Sequence, residues 1–174
     1  MIKIRKLIVG LSGASGVVYG LRLVDYLSTL GEYKVYTIVT KNAVKVAESE
    51  CCSRDSFFNI LKRRSEAIFM DDEIDASLSS TSSVFDVDAM VIIPCSLKTL
   101  SSIANSYQDN LLVRVALNIL RLRKLLVLVI RETPLSSLDI RNMLKVSLAG
   151  GVIMPASPAF YSIPKNVRDV IDYV

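Results

Sequence analysis

The chain of 174 residues contains no histidine and no tryptophan, and only three cysteines. Without histidine the Ser-His-Asp and Cys-His arrangements of nucleophilic catalysis are excluded, and the commonest metal ligand is missing. Acid–base chemistry must then use carboxylate, hydroxyl, lysine or a substrate phosphate. Cys51 and Cys52 are adjacent and Cys95 stands alone, a spacing that suits neither a disulfide framework nor zinc. Reduced thiols and no metal site are expected. Long apolar runs are also lacking: the longest, 125–130 and 89–93, fall far short of the roughly 18 residues of a membrane helix. The amino terminus leads straight into a strand-like run without the pattern of a secretion signal, so a cytoplasmic protein away from the membrane is expected. The net charge of +4 comes from basic residues scattered among acidic ones, with Lys62-Arg63-Arg64 as the one basic run of three. That distribution argues against nucleic acid and is compatible with a small phosphate-bearing ligand.

What the chain has in quantity is apolar residues, 51% against 22% charged. This is rich for a soluble monomer and implies faces turned toward other subunits. The apolar residues are ordered in alternating patterns. Lys6 to Leu11 reads as a strand, and Val17, Leu21, Val24 and Leu27 then recur at helical spacing up to Gly31. Lys34 to Thr40 reads as a second strand and Asn42 to Glu50 as a helix. Residues 51–83 are polar and irregular, with a helix around Phe57 to Lys62 and a serine-rich stretch over 77–83 that reads as a mobile or ligand-facing loop. Ala89 to Ile93 is a buried-type strand stopped by Pro94, followed by a helix beginning soon after Ser96. A helix over Leu111 to Arg123, a strand over Lys124 to Ile130, a helix near Leu138 to Leu148, a short strand at Val152-Ile153-Met154 and a last helix from about Asn166 complete the series.

Strands alternating with helices specify one α/β domain over residues 1–174. The expected architecture is a three-layer, Rossmann-like (flavodoxin-like) fold with a mainly parallel sheet covered on both faces. Ligands in such folds bind at the carboxyl ends of strands. The polar clusters near residues 13, 40, 96 and 131 all fall there, so four segments far apart in sequence should converge on one crevice.

Each cluster has a chemistry of its own. Gly13-Ala14-Ser15-Gly16 offers backbone amides with little bulk at a helix start, where an anion can approach closely. It lacks the lysine of a Walker loop and the full dinucleotide fingerprint, and a plain tight turn remains an alternative. Ser96, Leu97, Lys98 and Thr99 bring hydroxyls, amides and an ammonium within a few residues. Cys95, with no histidine to activate it, reads as a buried thiol. Arg131 can hold an anion by two parallel bonds and Glu132 can exchange a proton, or the two can form a local ion pair. Arg114 and Arg121, seven apart, share one helix face as solvated surface or as a second phosphate clamp. Phe160 and Tyr161, stiffened by Pro155 and Pro158, could wall an apolar pocket or pack as a rigid turn.

Taken together, the segments 10–16 with Tyr19-Gly20, 94–99, Asp109 to Arg114, 131–135, Asn142-Met143 and 158–161 resemble the UbiX family of flavin prenyltransferases, in order over nearly the whole chain. The resemblance implies transfer of a dimethylallyl group from dimethylallyl phosphate to reduced FMN without a metal. The product would be a prenylated flavin for a UbiD-type decarboxylase. It implies that Gly13, Ala14, Ser15, Thr40, Ser96, Leu97, Lys98, Thr99 and Arg131 hold FMN and that Ser15 meets the flavin near its reactive nitrogen. Glu132 would relay a proton, and Arg114, Arg121, Arg131 and Tyr161 would bind the prenyl phosphate. It also implies a homo-oligomer, a dodecamer, with sites between subunits. The chain departs from the family pattern in three places. Ser83 stands where glycine is usual, Arg121 stands where lysine is usual, and a basic phosphate ligand of the last helix would fall just beyond Val174. Two alternatives stay open: an FMN-binding module without turnover, and a flavin-dependent cysteine decarboxylase, which the missing catalytic histidine disfavours.

Overall fold

The computed structural model describes residues 4–174. Strands β1 (Arg5–Leu11), β2 (Tyr33–Val39), β3 (Ala67–Met70), β4 (Ala89–Cys95), β5 (Leu125–Ile130) and β6 (Val152–Pro155) form a six-stranded sheet in the order β3-β2-β1-β4-β5-β6. Every neighbouring pair is parallel. This is the doubly wound order of the Rossmann type, and its switch point lies between β1 and β4.

The strand side chains alternate between two cores because successive residues face opposite sides of the sheet. Ile8, Ile38, Met90, Ile92, Leu126 and Leu128 face one core, with α4 (Leu97–Ala104), α5 (Leu111–Arg121) and Val146 of α6 (Ser137–Leu148). Val9, Val35, Val39, Ile93 and Val129 face the other, with α1 (Val17–Thr29), α2 (Lys41–Glu50) and α3 (Arg54–Arg64). Helix α5 is the most deeply buried, with eight of its eleven residues in the core.

The coverage of the two faces is uneven. Beyond α1, the second face over β4, β5 and β6 is crossed by the short α7 (Val167–Tyr173), and a cavity of about 560 Å³ opens there among Leu23, Val91, Val127, Val129, Met154 and Ile171. On the opposite side, Ile140, Leu144 and Leu148 lie at four-residue spacing along α6 and are exposed. Both faces carry apolar surface that the chain does not cover, as its composition implies. Among the described residues no helix is long and apolar enough to cross a membrane.

The structure corrects three expectations. Strand β3, paired to β2 from Tyr36↔Ala67 to Val39↔Met70, lies in the stretch read as irregular. Pro94 does not stop β4; the strand runs through it to Cys95, with the register to β5 shifting between Ile92 and Cys95. The missing N–H of Pro94 falls at that irregularity, and its carbonyl accepts from both the amide and the hydroxyl of Ser12. The serine-rich stretch is a run of turns fastened to α5 and β5 rather than a mobile loop. Asn118 donates to the Ser79 carbonyl (3.2 Å) and accepts from Thr81 (3.1 Å), and Lys124, just before β5, donates to the carbonyls of Val84, Phe85 and Val87.

Candidate functional site

The four polar clusters do converge. The Thr40 amide donates to the Leu11 carbonyl at 3.0 Å, joining the end of β2 to that of β1. The Ser12 amide and hydroxyl donate to the Pro94 carbonyl at 3.3 and 2.9 Å, and the Ser12 hydroxyl accepts from the Ser96 amide at 2.8 Å. The Arg131 amide donates to the Cys95 carbonyl at 3.4 Å. Residues 12–16, 40, 96–99 and 131 are thereby tied edge to edge across the carboxyl ends of β2, β1, β4 and β5. Ser12 holds the centre. It is fully buried, and in the sequence it stands out only as one residue of the 10–16 segment.

The glycine loop is shaped to admit an anion. Gly16, the N-cap of α1, has φ 93, a left-handed conformation that side chains resist. A Cβ on Gly13 would stand 2.4 Å from the Cβ of Asn42, so only glycine lets the loop approach the start of α2 this closely. The Gly13 and Ser15 amides make no hydrogen bond to another described residue. The Gly16 amide donates to the Glu50 carboxylate at 2.8 Å. A carboxylate therefore already uses one amide of this loop, at the electropositive end of α1. Glu50 was missed because it lies a whole β-α unit away from the loop, at the end of α2.

Thr40 and Ser96 have a second task. The Thr40 hydroxyl oxygen accepts from the Ala43 amide at 3.1 Å and that of Ser96 from the Thr99 amide at 3.3 Å, so both cap helices that begin at the crevice. A hydroxyl that accepts in this way still has its proton to donate. The hydroxyls of Ser96 and Thr99 are 3.1 Å apart and share one such bond. Lys98 extends outward to Asp109 at 3.0 Å, and the other carboxylate oxygen of Asp109 is buried without a partner among the described residues. Next to the crevice, at the end of β3, burial pushes the Asp71 carboxyl above its usual range although the Lys41 amide donates to it at 3.1 Å.

Arg131 and Arg114 are half-buried, and neither forms an ion pair with another described residue. The local Arg131–Glu132 pair is therefore not formed. Glu132 is exposed beside the crevice and accepts from the Thr133 amide at 3.0 Å. Arg114 lies in the first turn of α5, whose N-cap Asn110 accepts from the Val113 amide and whose Leu111 amide donates to the Asp71 backbone carbonyl. Arg121 is not brought to the same place. It ends α5, about 10 Å along the axis from Arg114, and donates to Asn118 at 2.6 Å on the amino side of the sheet. Tyr161 lies in the short 3-10 turn Phe160–Ser162 after β6, 82% exposed, with its hydroxyl 3.1 Å from that of Tyr173. Cys95 is fully buried, and burial holds its thiol far above the usual range. It is inert packing at the end of β4.

A crevice of loop amides, capping hydroxyls and unpaired arginines at the Rossmann switch point suits a phosphorylated, polar cofactor. The sequence profile of the Flavoprotein family matches residues 1–172. The flavin prenyltransferase UbiX of Saccharolobus solfataricus is 48% identical over 172 residues, which cover 99% of this chain and 84% of that protein.

The chain belongs to the UbiX flavin prenyltransferase family.

Among solved structures, AnUbiX in complex with FMN and dimethylallyl pyrophosphate superposes with a TM-score of 0.90 at 35% identity, covering 98% of this chain and 87% of that one. The dodecameric FMN-dependent UbiX-like decarboxylase of Escherichia coli O157:H7 gives 0.88, also at 35% identity, covering 95% and 87%. The cysteine decarboxylase TvaF shares only the fold, at 19% identity and a TM-score of 0.70 over 95% of this chain and 98% of that one. The UbiX fold thus carries in this chain the loop, the capped helix starts and the arginines that the sequence singled out.

Proposed function

We propose that this protein joins a dimethylallyl group from dimethylallyl phosphate to reduced FMN and supplies the prenylated flavin to a UbiD-type decarboxylase. The observation that carries this reading is the joining of segments 12–16, 40, 96–99 and 131 by direct hydrogen bonds into one crevice, in a chain 48% identical to a flavin prenyltransferase. Gly13, Ala14, Ser15, Thr40, Ser96, Leu97, Lys98, Thr99 and Arg131 hold FMN in this reading. The free Gly13 and Ser15 amides and the remaining hydroxyl protons of Thr40 and the Ser96–Thr99 pair fit its anionic and polar groups.

Reduced flavin supplies the nucleophilic nitrogen, and the residues supply charge and proton handling. Breaking an allylic carbon–phosphate bond leaves negative charge on phosphate and positive charge on carbon. Arg131 and Arg114, free of carboxylate partners, stabilise the leaving phosphate. The Tyr161 hydroxyl donates to it, and the aromatic faces of Phe160 and Tyr161 favour the allylic cation. Glu132 moves a proton between the crevice and solvent, and Ser15 orients the flavin. Arg121, at the far end of α5, acts in this scheme on the crevice of a neighbouring copy in a homo-oligomer, a dodecamer as in the E. coli relative. The bare sheet face and the α6 stripe are consistent with such an assembly.

The test is to incubate the protein anaerobically with reduced FMN and dimethylallyl phosphate and to weigh the flavin by mass spectrometry. Addition of one prenyl group is expected. FMN recovered unchanged, with the protein folded and FMN-loaded, overturns the assignment.

A further inference from the structure

We infer that Tyr173 is a positioning residue for the prenyl donor: its hydroxyl donates to the Tyr161 oxygen and turns the Tyr161 proton toward the donor phosphate, while an Arg22–Asp172 ion pair holds the helix that carries it. This rests on the reading of Tyr161 as a phosphate ligand. Tyr161 has little else to hold it. Its 3-10 turn buries no residue and leads into Ile163 at φ 51, and the neighbouring Phe160 is 75% exposed. Tyr173 meets it edge to face, with ring centroids 6.2 Å apart and planes at 86°, and the two hydroxyls are 3.1 Å apart.

The direction of that bond matters. Either hydroxyl can donate across the 3.1 Å bond, but each has a single proton, so when Tyr161 donates to the phosphate Tyr173 must be the donor between the two. The Tyr161 oxygen then accepts, and its own proton is left for an anionic oxygen. A hydroxyl that accepts one hydrogen bond becomes a stronger donor in the next.

Helix α7 cannot serve as a support by itself. Its seven residues bury no side chain, and a helix of that length is unstable alone in water. Arg22 of α1 fixes it. Its Nε donates to Asp172 Oδ1 at 2.5 Å and its Nη2 to Oδ2 at 3.1 Å, the two-pronged geometry that fixes orientation as well as distance. The third nitrogen of Arg22 donates to Asp25 at 3.2 Å, and Asp25 also forms an ion pair with Arg64 of α3 at 2.9 Å. The Arg22 side chain is 28% exposed, so this pair is less screened than one in open solvent. Position thus passes from α3 and α1, which pack on the sheet, through Asp172 to Tyr173 and on to a tyrosine that its own segment leaves in the open.

The test uses the FMN-loaded protein and compares Tyr161→Phe, Tyr173→Phe, Asp172→Ala, Asp172→Glu and the double variant Tyr173→Phe/Asp172→Ala. KM for dimethylallyl phosphate, kcat and the FMN Kd are measured for each. Tyr173→Phe and Asp172→Ala should each raise KM about 3- to 10-fold, the equivalent of one hydrogen bond, with the FMN Kd unchanged. The double variant should be no worse than the poorer single one, because both act through one contact. Asp172→Glu should recover part of the loss. No effect of Tyr161→Phe on KM overturns the phosphate role of Tyr161. A raised KM in Tyr161→Phe with wild-type KM in Tyr173→Phe overturns the positioning role alone. An equal loss of FMN affinity in Tyr173→Phe would also overturn it, since that marks general loosening.

Discussion

Replacing Ser12 with alanine removes one hydroxyl and should loosen both the fold and the crevice. The Ser12 hydroxyl donates to the Pro94 carbonyl at 2.9 Å and its oxygen accepts from the Ser96 amide at 2.8 Å, in a side chain with no exposure. The Pro94 carbonyl keeps the Ser12 amide as a donor at 3.3 Å, so its loss is partial. The part-buried Ser96 amide keeps nothing, and leaving such a donor unmatched costs about 1–3 kcal/mol, to which the lost donated bond adds about 1. A total of roughly 2–3 kcal/mol is expected for this part-buried site. At roughly 2–4 °C per kcal/mol for a domain of this size, Tm should fall on the order of 5–10 °C. Because Ser96 starts α4 and caps it, FMN affinity should fall as well, on the order of tenfold. Urea unfolding of the flavin-free variant at fixed protein concentration gives the first quantity and fluorescence titration with FMN the second. A stability change below about 0.5 kcal/mol would refute the reasoning, since an unmatched amide at a helix start cannot be that cheap. A large stability loss with unchanged FMN affinity would show that α4 keeps its place without the Ser12 bond.

Three further outcomes follow from the same geometry. Gly13→Ala puts a methyl group 2.4 Å from Asn42 Cβ, so the loop must move off α2; FMN titration should show lost affinity and unfolding a loss of about 1–3 kcal/mol. Glu132→Gln keeps the shape of an exposed side chain and removes its proton exchange, so FMN binding should persist while single-turnover prenyl transfer slows about 10²- to 10⁴-fold. Burial, with a smaller effect of Cys52, pushes the Cys51 thiol up to about 11. Its alkylation rate should therefore keep rising with pH to about that value while Cys95 stays unlabelled in the native protein. The sign for stability is fixed too: folded Cys51 holds its proton where the unfolded thiol, near 9.0, has lost it, so this contribution is present below about 9 and lost as pH rises toward 11.

Most of the fold was legible because each strand of the parallel core is a run of apolar residues bounded by polar ones. Strand β3 was not, for it has four residues, all half-buried, at the edge of the sheet. Four residues are too few to show alternation, and their pairing with β2 is a fact of tertiary structure. The Pro94 error came from a sound local rule: a proline lacks an amide for the ladder, but the ladder to β5 is already irregular there. The crevice was readable because polar residues at strand ends are adjacent to chain reversals. Ser12 and Glu50 were not read as site residues, since what distinguishes them is a partner 82 or 84 residues away for Ser12 and 34 residues away for Glu50. Arg114 and Arg121 do share a helix face, yet a shared face says nothing of position along the axis, and they stand at opposite ends of the sheet.

The sheet face over β4 to β6 bears on what a stability measurement means here. Apolar surface contributes to folding only when something removes it from water, and along the 560 Å³ opening beneath α7 the chain itself does not. If a second copy closes that opening, part of the folding free energy is a binding free energy, and Tm must climb as the protein is concentrated. Substitutions at the half-buried Val127 or Met154 would then look mild in dilute solution and severe in concentrated solution, the reverse of what a sealed core would give.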